Sequence, residues 1–312
     1  MTSIIEVKNL EKSFKNKKAL NGITFDVRQG EILCFLGPNG AGKSTVINIL
    51  STVLDFNGGE ILFNGRPLNK NKKAVKECLG IVPQDLALYE ELSAESNIRF
   101  FASLYGLRGG ELKRKTEEAL NFAGLLDRCG DKVKTFSGGM KRRLNIACAI
   151  AHKPEVIIMD EPTVGIDPQS RNHILHSIKE LRENGATVIY TTHYMEEVEE
   201  ISTRIIIIDN GSIVAEGAKE QLKESLEDEK LYRIEVQEVK GLKQDDFYRI
   251  EGVKNVALKD NCFEIATLKG VENLDRLIAL VVGGGLKINN ISGLEASLER
   301  VFLNITGRSL RD

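Results

Sequence analysis

Apolar and polar positions alternate through residues 4–27 in the manner of β-strands. The next segment, "EILCFLGPNGAGKSTVINIL" (31–50), is apolar up to Leu36, is interrupted by glycines and resumes at helical spacing. That pattern predicts a buried strand, a glycine loop and a helix. Further strands are predicted at "GEILFNG" (59–65), "EVIIMD" (155–160), "ATVIYTT" (186–192) and "RIIIIDNGSIVAEG" (204–217), the last as a hairpin turning at Asn210-Gly211. Helical periodicity dominates 94–150, and short helices are expected between the later strands. Apolar strands alternating with helices imply a parallel sheet covered on both faces.

The segment "AKEQLKESLEDEK" (218–230) is charged and poor in large apolar residues, as in a connecting helix or linker. Beyond it, "KLYRIEVQ", "LKQDDFYRI", "VKNVALKD", "CFEIATL", "VENLDRLIALV" and "LKINNI" follow the order β-α-β-β-α-β, which suggests a small ferredoxin-like unit. A final amphipathic helix is expected to carry Leu294, Leu298, Val301, Phe302 and Ile305 on one face. The expected organisation is therefore a domain over 1–217, a linker over 218–230 and a small α/β domain over 231–312.

Composition narrows the function classes. A chain of 312 residues can hold two domains. A net charge of −2 argues against coating nucleic acid, and the absence of Trp removes the best stacking side chain. Five scattered cysteines without a CxxC pair favour a reducing compartment and no structural zinc. The N-terminus lacks an apolar h-region, and the longest apolar runs, such as "LIALVV" (277–282), are too short to span a bilayer. The expected location is the cytosol, with any membrane-spanning part supplied by another chain.

"GPNGAGKST" (37–45) fits G-x-x-x-x-G-K-[ST] through Gly37, Gly42, Lys43 and Ser44, with Pro38, Asn39, Gly40, Ala41 and Thr45 completing the loop. Bare glycines let successive N–H groups wrap a phosphate, Lys43 can bridge β and γ phosphates, and the Ser44 hydroxyl can bind Mg²⁺. In "VIIMDEPT" (156–163) an apolar strand ends in two adjacent carboxylates, a costly arrangement unless a cation or a catalytic task awaits them. Asp160 fits the acid that organises Mg²⁺, and Glu161 a base that polarises the attacking water. Alone, the pair would read as a strand-end Asp beside a helix-capping Glu; the phosphate loop shifts the balance. "YTTHYMEEVEE" (190–200) presents His193 at the end of another strand, near the expected γ-phosphate position. His152, His173 and His176 read as structural or surface residues.

"TFSGGMKRR" (135–143) reads as a turn and a helix start: Ser137 can cap, and Gly138-Gly139 leave the amides bare. Such an N-terminus attracts anions, yet the segment holds none. The positions Met140, Leu144, Ala147, Cys148 and Ala151 form an apolar stripe, so Arg142 and Arg143 are expected on a solvated face.

Taken together, the motifs over residues 3–217 resemble the ATP-binding subunit of an ABC transporter. The resemblance implies an α/β P-loop NTPase fold of the ABC-type ATPase, with a parallel sheet core, an antiparallel β part and a helical insert near 86–150, followed by the small ferredoxin-like α/β domain. It implies ATP and Mg²⁺ as ligands. "VPQD" (82–85) is similar to the Q-loop, with Gln84 at Mg²⁺ and sensing the permease; "VGIDP" (164–168) to the D-loop, with Asp167 facing a partner subunit; and His193 to the switch histidine. Phe14 stands where the family places an aromatic on adenine. Phe136-Ser137-Gly138-Gly139-Met140 resembles the signature loop, departing from its usual first and last residues at Phe136 and Met140. In this family two subunits pair head-to-tail, so that each signature loop meets the ATP of the other copy, a C2 arrangement. The tail "SLERVFLNITG" (297–307) is similar to that of ATPases serving ABC-2-type exporters of the daunorubicin-resistance and sodium-export kind, with Arg300 in place of their acid.

The expected function is thus ATP hydrolysis that powers export through a separate multi-spanning permease, by a homodimer peripheral on the inner face of the membrane. An importer ATPase, an ABC-type ATPase unrelated to transport and a P-loop kinase are the alternatives. The lack of coiled-coil or zinc insertions and of a second ATPase unit weighs against the DNA- and ribosome-acting relatives. A kinase has no use for Ser137-Gly138-Gly139 or His193.

Overall fold

The computed structural model of the chain describes residues 2–15, 17–224, 229–294 and 297–306. The first half runs β1 (Ser3–Phe14), β2 (Lys17–Arg28), β3 (Ile32–Leu36), α1 (Lys43–Leu50), β4 (Gly58–Phe63), β5 (Arg66–Pro67), α2 (Lys72–Cys78), β6 (Leu79–Val82), α3 (Ala94–Leu104), α4 (Gly109–Phe122) and α5 (Gly138–Ile150). It continues through β7 (Val156–Asp160), α6 (Pro168–Glu183), β8 (Thr187–Thr192), α7 (Met195–Ile201), β9 (Arg204–Asp209), β10 (Ser212–Gly217) and α8 (Lys219–Glu224). The C-terminal part holds β11 (Glu229–Val236), α9 (Gln244–Phe247), β12 (Val253–Lys259), β13 (Cys262–Leu268), α10 (Leu274–Gly283), β14 (Ile288–Leu294) and α11 (Leu298–Thr306). The chain divides into two compact units, the first through Lys219 and the second from Glu220 through the last described helix.

In the first unit, β3, β7 and β8 are buried along their whole length, which is why their sequences are apolar runs without alternation. They form the centre of a six-stranded sheet of order β10-β9-β3-β8-β7-β6. All pairings are parallel except β9–β10, the hairpin that turns at Asn210 and Gly211 with φ of 47° and 75°. An antiparallel sheet of order β2-β1-β4-β5 has the half-buried alternation expected of residues 4–27. Its inner face, with Ile5, Val7 and Val27, shares a core with Val46 and Ile49 of α1 and with Leu33 and Phe35 of the parallel sheet. Helices α3, α4 and α5 pack around Ile98, Leu120, Leu144 and Ala147 as a separate helical cluster.

The second unit is a four-stranded antiparallel sheet of order β12-β13-β11-β14, with α9 and α10 as the crossovers. This is the ferredoxin-like arrangement that the β-α-β-β-α-β pattern suggested. Phe247, Phe263, Ile265 and Leu277 are fully buried in its core.

The structure departs from the hydrophobic pattern in three places. β6 was not expected: it has only four residues and follows α2 without a turn signal between them. Leu294 ends β14 and the final helix begins at Leu298, so the expected helical face over 294–305 is shortened from its N-terminal end. Within the segment read as a linker, α8 and the start of β11 are ordered elements, and residues 225–228 lie outside the described set, as does Gly307 at the close of the tail segment.

One polar contact fastens the helical cluster to the sheet. The rings of Tyr105 and His152 stack with centroids 3.5 Å apart. Both reach the same carbonyl, that of Leu79: Tyr105 Oη donates at 3.3 Å and His152 Nε2 lies at 3.1 Å. Protonating His152 would place a second N–H, on the buried and unpartnered Nδ1, where no acceptor stands. Burial accordingly holds its pKa down to about 4 from an ordinary 6.5. Because the folded state binds this proton less well than the unfolded chain, His152 leaves stability intact above the unfolded pKa and erodes it as pH falls from about 6.5 towards about 4. We expect His152→Gln to unfold at a lower urea concentration than wild type at neutral pH, with the gap narrowing as pH falls through that window. Urea midpoints at several pH values measure this, and a constant gap would locate the acid sensitivity elsewhere.

Candidate functional site

Strand register builds the site. The parallel pairing sets Asp160 of β7 beside Thr191 of β8, and Leu36 of β3 beside Thr192. The carboxyl ends of three strands thus stand abreast, the edge at which open α/β sheets bind ligands. From these ends leave the loop 37–42, the Glu161 turn and the His193 turn.

The 37–45 loop runs from β3 into α1. Gly42 caps the helix at φ 114°, a conformation strained for any residue with a Cβ, and a Cβ there would also meet Leu20 and the Ala19 carbonyl at 3.0–3.1 Å. Lys43 is 4 % exposed; its Nζ donates to the carbonyls of Gly37 (2.7 Å) and Pro38 (3.2 Å) and sits 3.3 Å from Glu161 Oε1. Burial lowers its pKa, while the Glu161 and Asp160 carboxylates oppose that shift. An ammonium held at the mouth of a glycine loop is an anion-binding group.

Asp160 Oδ1 accepts from Thr191 Oγ1 at 2.5 Å and from Ser44 Oγ at 3.4 Å. Glu161 is buried in the left-handed region at φ 45°, and its N–H is held by the Thr191 carbonyl (3.1 Å) and hydroxyl (3.0 Å). A non-glycine residue in that conformation costs about 1–2 kcal/mol, so its surroundings must impose it. His193 Nδ1 approaches Glu161 Oε2 to 3.3 Å without the alignment of a hydrogen bond.

A cavity of about 410 Å³ gathers Phe14, Asn39, Gly40, Gly42, Lys43, Ser44, Thr45, Gln84 and Glu161, with Lys17, Lys18, Ala19, Asn210 and Gly211 closing its rim. Phe14 is 47 % exposed there at the end of β1, with the Lys12 ammonium 5.1 Å from its ring centroid. Ser44, Asp160 and Gln84 present only oxygen donors suited to a hard cation. Among the described residues no group of three or more His, Cys, Asp or Glu could hold a metal by itself. This donor set fits Mg²⁺ that arrives with a phosphate and keeps few protein ligands.

Ser137, Gly138, Gly139 and Met140 do not line that cavity. Ser137 caps α5, accepting from Met140 N–H at 3.3 Å, and Ser137 and Gly138 are exposed. Asp167 is the corresponding cap of α6, accepting from Ser170 N–H at 2.9 Å; the backbone N–H groups around it, Ser170 first, hold its carboxyl below the usual range. The two caps are neighbours, because a Cβ on Gly139 would lie 3.5 Å from Asp167 Oδ2.

The expectation of a solvated face for Arg142 and Arg143 is overturned. Arg142 is buried and donates to the carbonyls of Pro83 (2.9 Å) and Gln84 (2.6 Å), bracing the Gln84 loop from α5. Arg143 is half-buried and donates to the Ala123 carbonyl at 2.5 Å. Their partners are backbone atoms far along the chain, which no helical periodicity encodes. Lys141 pairs with Glu90 at 2.5 Å. Sequence reasoning also missed Glu197, which is fully buried beneath the His193 turn. Its spacing of four from the buried Ile201 was the available signal, hidden within an acidic run.

Comparison with known proteins agrees with this geometry. The sequence profile of the ABC transporter family matches residues 20–164, and that of an AAA domain matches 132–199. The chain is 42% identical over 311 residues to the linearmycin resistance ATP-binding protein LnrL of Bacillus subtilis, covering 99% of this chain and 100% of the relative. It is 32% identical over 308 residues to the daunorubicin resistance ATP-binding protein DrrA3 of Streptomyces coeruleorubidus, covering 98% and 97% of the two chains. A dimeric ATP-binding cassette solved in a post-hydrolysis state with ADP and phosphate superposes with a TM-score of 0.63 at 28% identity, over 69% of this chain and 98% of that one.

The close approach at Gly139 yields a test of the paired caps. A Cβ there would meet Ser170 Oγ at 2.1 Å and Ser170 Cβ at 2.6 Å, too close without moving α6. Gly139→Ala should destabilise the protein by about 1–3 kcal/mol in chemical denaturation. Adding Ser170→Gly should recover part of the loss; no recovery would mean the strain lies elsewhere.

Proposed function

The chain belongs to the ABC transporter family of ATP-binding proteins and is an ATPase, and on that premise we propose that it powers export of a substrate through a separate membrane-spanning permease of the ABC-2 type. The observation that carries the reading is that Lys43, Ser44 and Glu161 line one cavity, with His193 3.3 Å from Glu161 and Asp160 bonded to Ser44 behind it, in a chain similar over its full length to two resistance ATP-binding proteins.

In the proposed mechanism the loop amides within residues 39–45 that have no partner in the fold and the Lys43 ammonium bind the β and γ phosphates, and Phe14 stacks on the adenine. Bound phosphate competes with Glu161 for Lys43, releasing the carboxylate to take a proton from the attacking water. His193, 3.3 Å from Glu161, orients that water and the γ-phosphate. Ser44, Asp160 and Gln84 would hold Mg²⁺, which supplies neutralisation of the phosphate charge.

One copy is incomplete in this scheme. Ser137 and Gly138 are exposed and do not line the chain's own cavity, so we assign their phosphate to a second copy, paired head-to-tail. Asp167, beside Gly139, would meet the same partner. The homodimer is the simpler arrangement because both halves of the site are present in this chain. ATP would close the pair and hydrolysis release it, a ligand-shifted equilibrium.

Among the described residues no helix is long and apolar enough to cross a membrane. Beside Gln84, the helical cluster exposes Leu86, Tyr89, Leu92, Phe100 and Leu104, with Tyr89 and Phe100 packed edge-to-face at 5.1 Å. An exposed apolar patch of this kind marks an interaction site. We assign it to the permease, with Gln84 and its brace Arg142 carrying the movement and the protein lying on the inner face of the cell membrane.

Glu161→Gln should retain ATP binding while turnover falls by about 10²–10⁴-fold, and an ATP-bound dimer should accumulate on size exclusion. Phosphate release at the wild-type rate would remove Glu161 from the base role. In a mixed dimer, Ser137→Arg on one copy should disable the site built on the other copy's 37–45 loop. Damage confined to its own loop would refute the composite site.

A further inference from the structure

Glu197 does not line the cavity, yet it is fully buried, and its carboxylate collects hydroxyl donors from the turn after β7 and from β8, with Arg171 of α6 beside it. Thr163 Oγ1 donates to Oε1 at 2.6 Å. Tyr190 Oη and Thr192 Oγ1 donate to Oε2 at 2.9 and 2.8 Å. Arg171 Nε lies 3.6 Å from Oε1, an ionic contact without hydrogen-bond alignment, and its guanidinium covers the Tyr194 ring at 4.9 Å. The Tyr194 and His193 rings are in turn 4.2 Å apart, and Tyr194 N–H donates to Thr192 Oγ1 at 2.9 Å. Burial first, and then the Glu197 charge, push the Tyr190 phenol well above its ordinary pKa, so that it stays a donor.

The partners come from three pieces of the proposed hydrolytic apparatus. Thr163 lies two residues past Glu161, in the turn that carries its left-handed backbone. Tyr190 and Thr192 end the strand that delivers His193. Arg171 is in the first turn of α6, the helix that Asp167 caps. A buried carboxylate costs several kcal/mol to desolvate, and an apolar side chain of like volume would serve the core as well. What the carboxylate provides, and an apolar group cannot, is a common anchor for donors from separate loops.

We infer that Glu197 is a positioning residue for ATP hydrolysis: it locks the Glu161 turn and the His193 turn in one register and, through Arg171, ties both to the helix that begins at Asp167. The inference rests on the reading of Glu161 as base and His193 as its companion. Glu197 itself does not line the cavity. It decides whether those two side chains, 3.3 Å apart but not aligned, can be brought into line when the site closes.

The test is made on the full-length protein with Glu197→Gln. The three hydroxyls can rotate to satisfy a carboxamide, so the fold is kept while the attraction to Arg171 is lost. We expect kcat for ATP to fall at least tenfold, with KM, nucleotide affinity and melting temperature close to wild type. Arg171→Met should give a similar fall in kcat, the double variant no further fall, and Arg171→Lys should restore most of the rate. A wild-type kcat in Glu197→Gln would overturn the inference. So would parallel losses of kcat, affinity and melting temperature, which would make Glu197 a stability residue only. Should Glu197→Gln fail to fold, Tyr190→Phe removes one donor at constant charge, and the same split between kcat and KM decides. Glu161→Gln run alongside separates the two failures: if it is inactive while Glu197→Gln is normal, only the positioning role falls, and if it turns over normally, the assignment of the base falls and the positioning role with it.

Discussion

The parallel register of β3, β8 and β7 is the constraint on which the rest of the structure depends. It sets Leu36, Thr192, Thr191 and Asp160 along one edge, and the loop 37–42, the Glu161 turn and the His193 turn leave from that edge. Thr191 serves the edge twice, donating to Asp160 Oδ1 and accepting from Glu161 N–H. A slip of one residue would turn Asp160 from the edge into the sheet face and release Glu161 from its left-handed backbone. The strands are apolar on both faces, so the polar bonds at their ends pin the register: only this pairing lets Thr191 serve both Asp160 and the Glu161 N–H.

Around that edge, charge is placed where solvent cannot screen it. Lys43, Glu161, Arg142 and Glu197 are all nearly inaccessible. Lys43 and Glu161 neutralise one another at 3.3 Å, an arrangement that a phosphate can replace. Arg142 relies on the carbonyls of Pro83 and Gln84 rather than on a carboxylate, so its burial is worth having only if the Gln84 loop stays against α5. Glu197 binds the turns beyond β7 and β8 together from beneath. Most of these contacts join segments distant in sequence, and they make the position of one loop depend on another.

The two glycine loops follow a different logic. The 37–45 loop faces the chain's own cavity, whereas the Ser137 cap stands exposed beside the Asp167 cap, with Gly139 demanded by Ser170. Loops so exposed and so closely paired give one surface the character of half a site, and it is this incompleteness that supports a second copy in the proposed function.

Much of this was legible in the sequence because it is written in local signals. The apolar runs at 32–36, 156–160 and 187–192 specified buried parallel strands, the Asn210-Gly211 pair specified a hairpin, and G-x-x-x-x-G-K-S together with Asp160-Glu161 specified phosphate chemistry, since glycine and carboxylate have few other uses at those positions. The β-α-β-β-α-β order of the C-terminal unit was readable for the same reason, down to its sheet. What only the tertiary structure decided are the partners of charged side chains and the ends of short elements. Periodicity assigned Arg142 to solvent, and folding placed it under the Gln84 carbonyls; Glu197 lay in an acidic run, and folding buried it; Leu294 followed the helical stripe, and strand pairing to β11 claimed its backbone. Sequence patterns record which face of an element avoids water. Whether a particular charge finds partners good enough to leave water depends on atoms brought near it from elsewhere in the chain, and those exist only once the fold has formed.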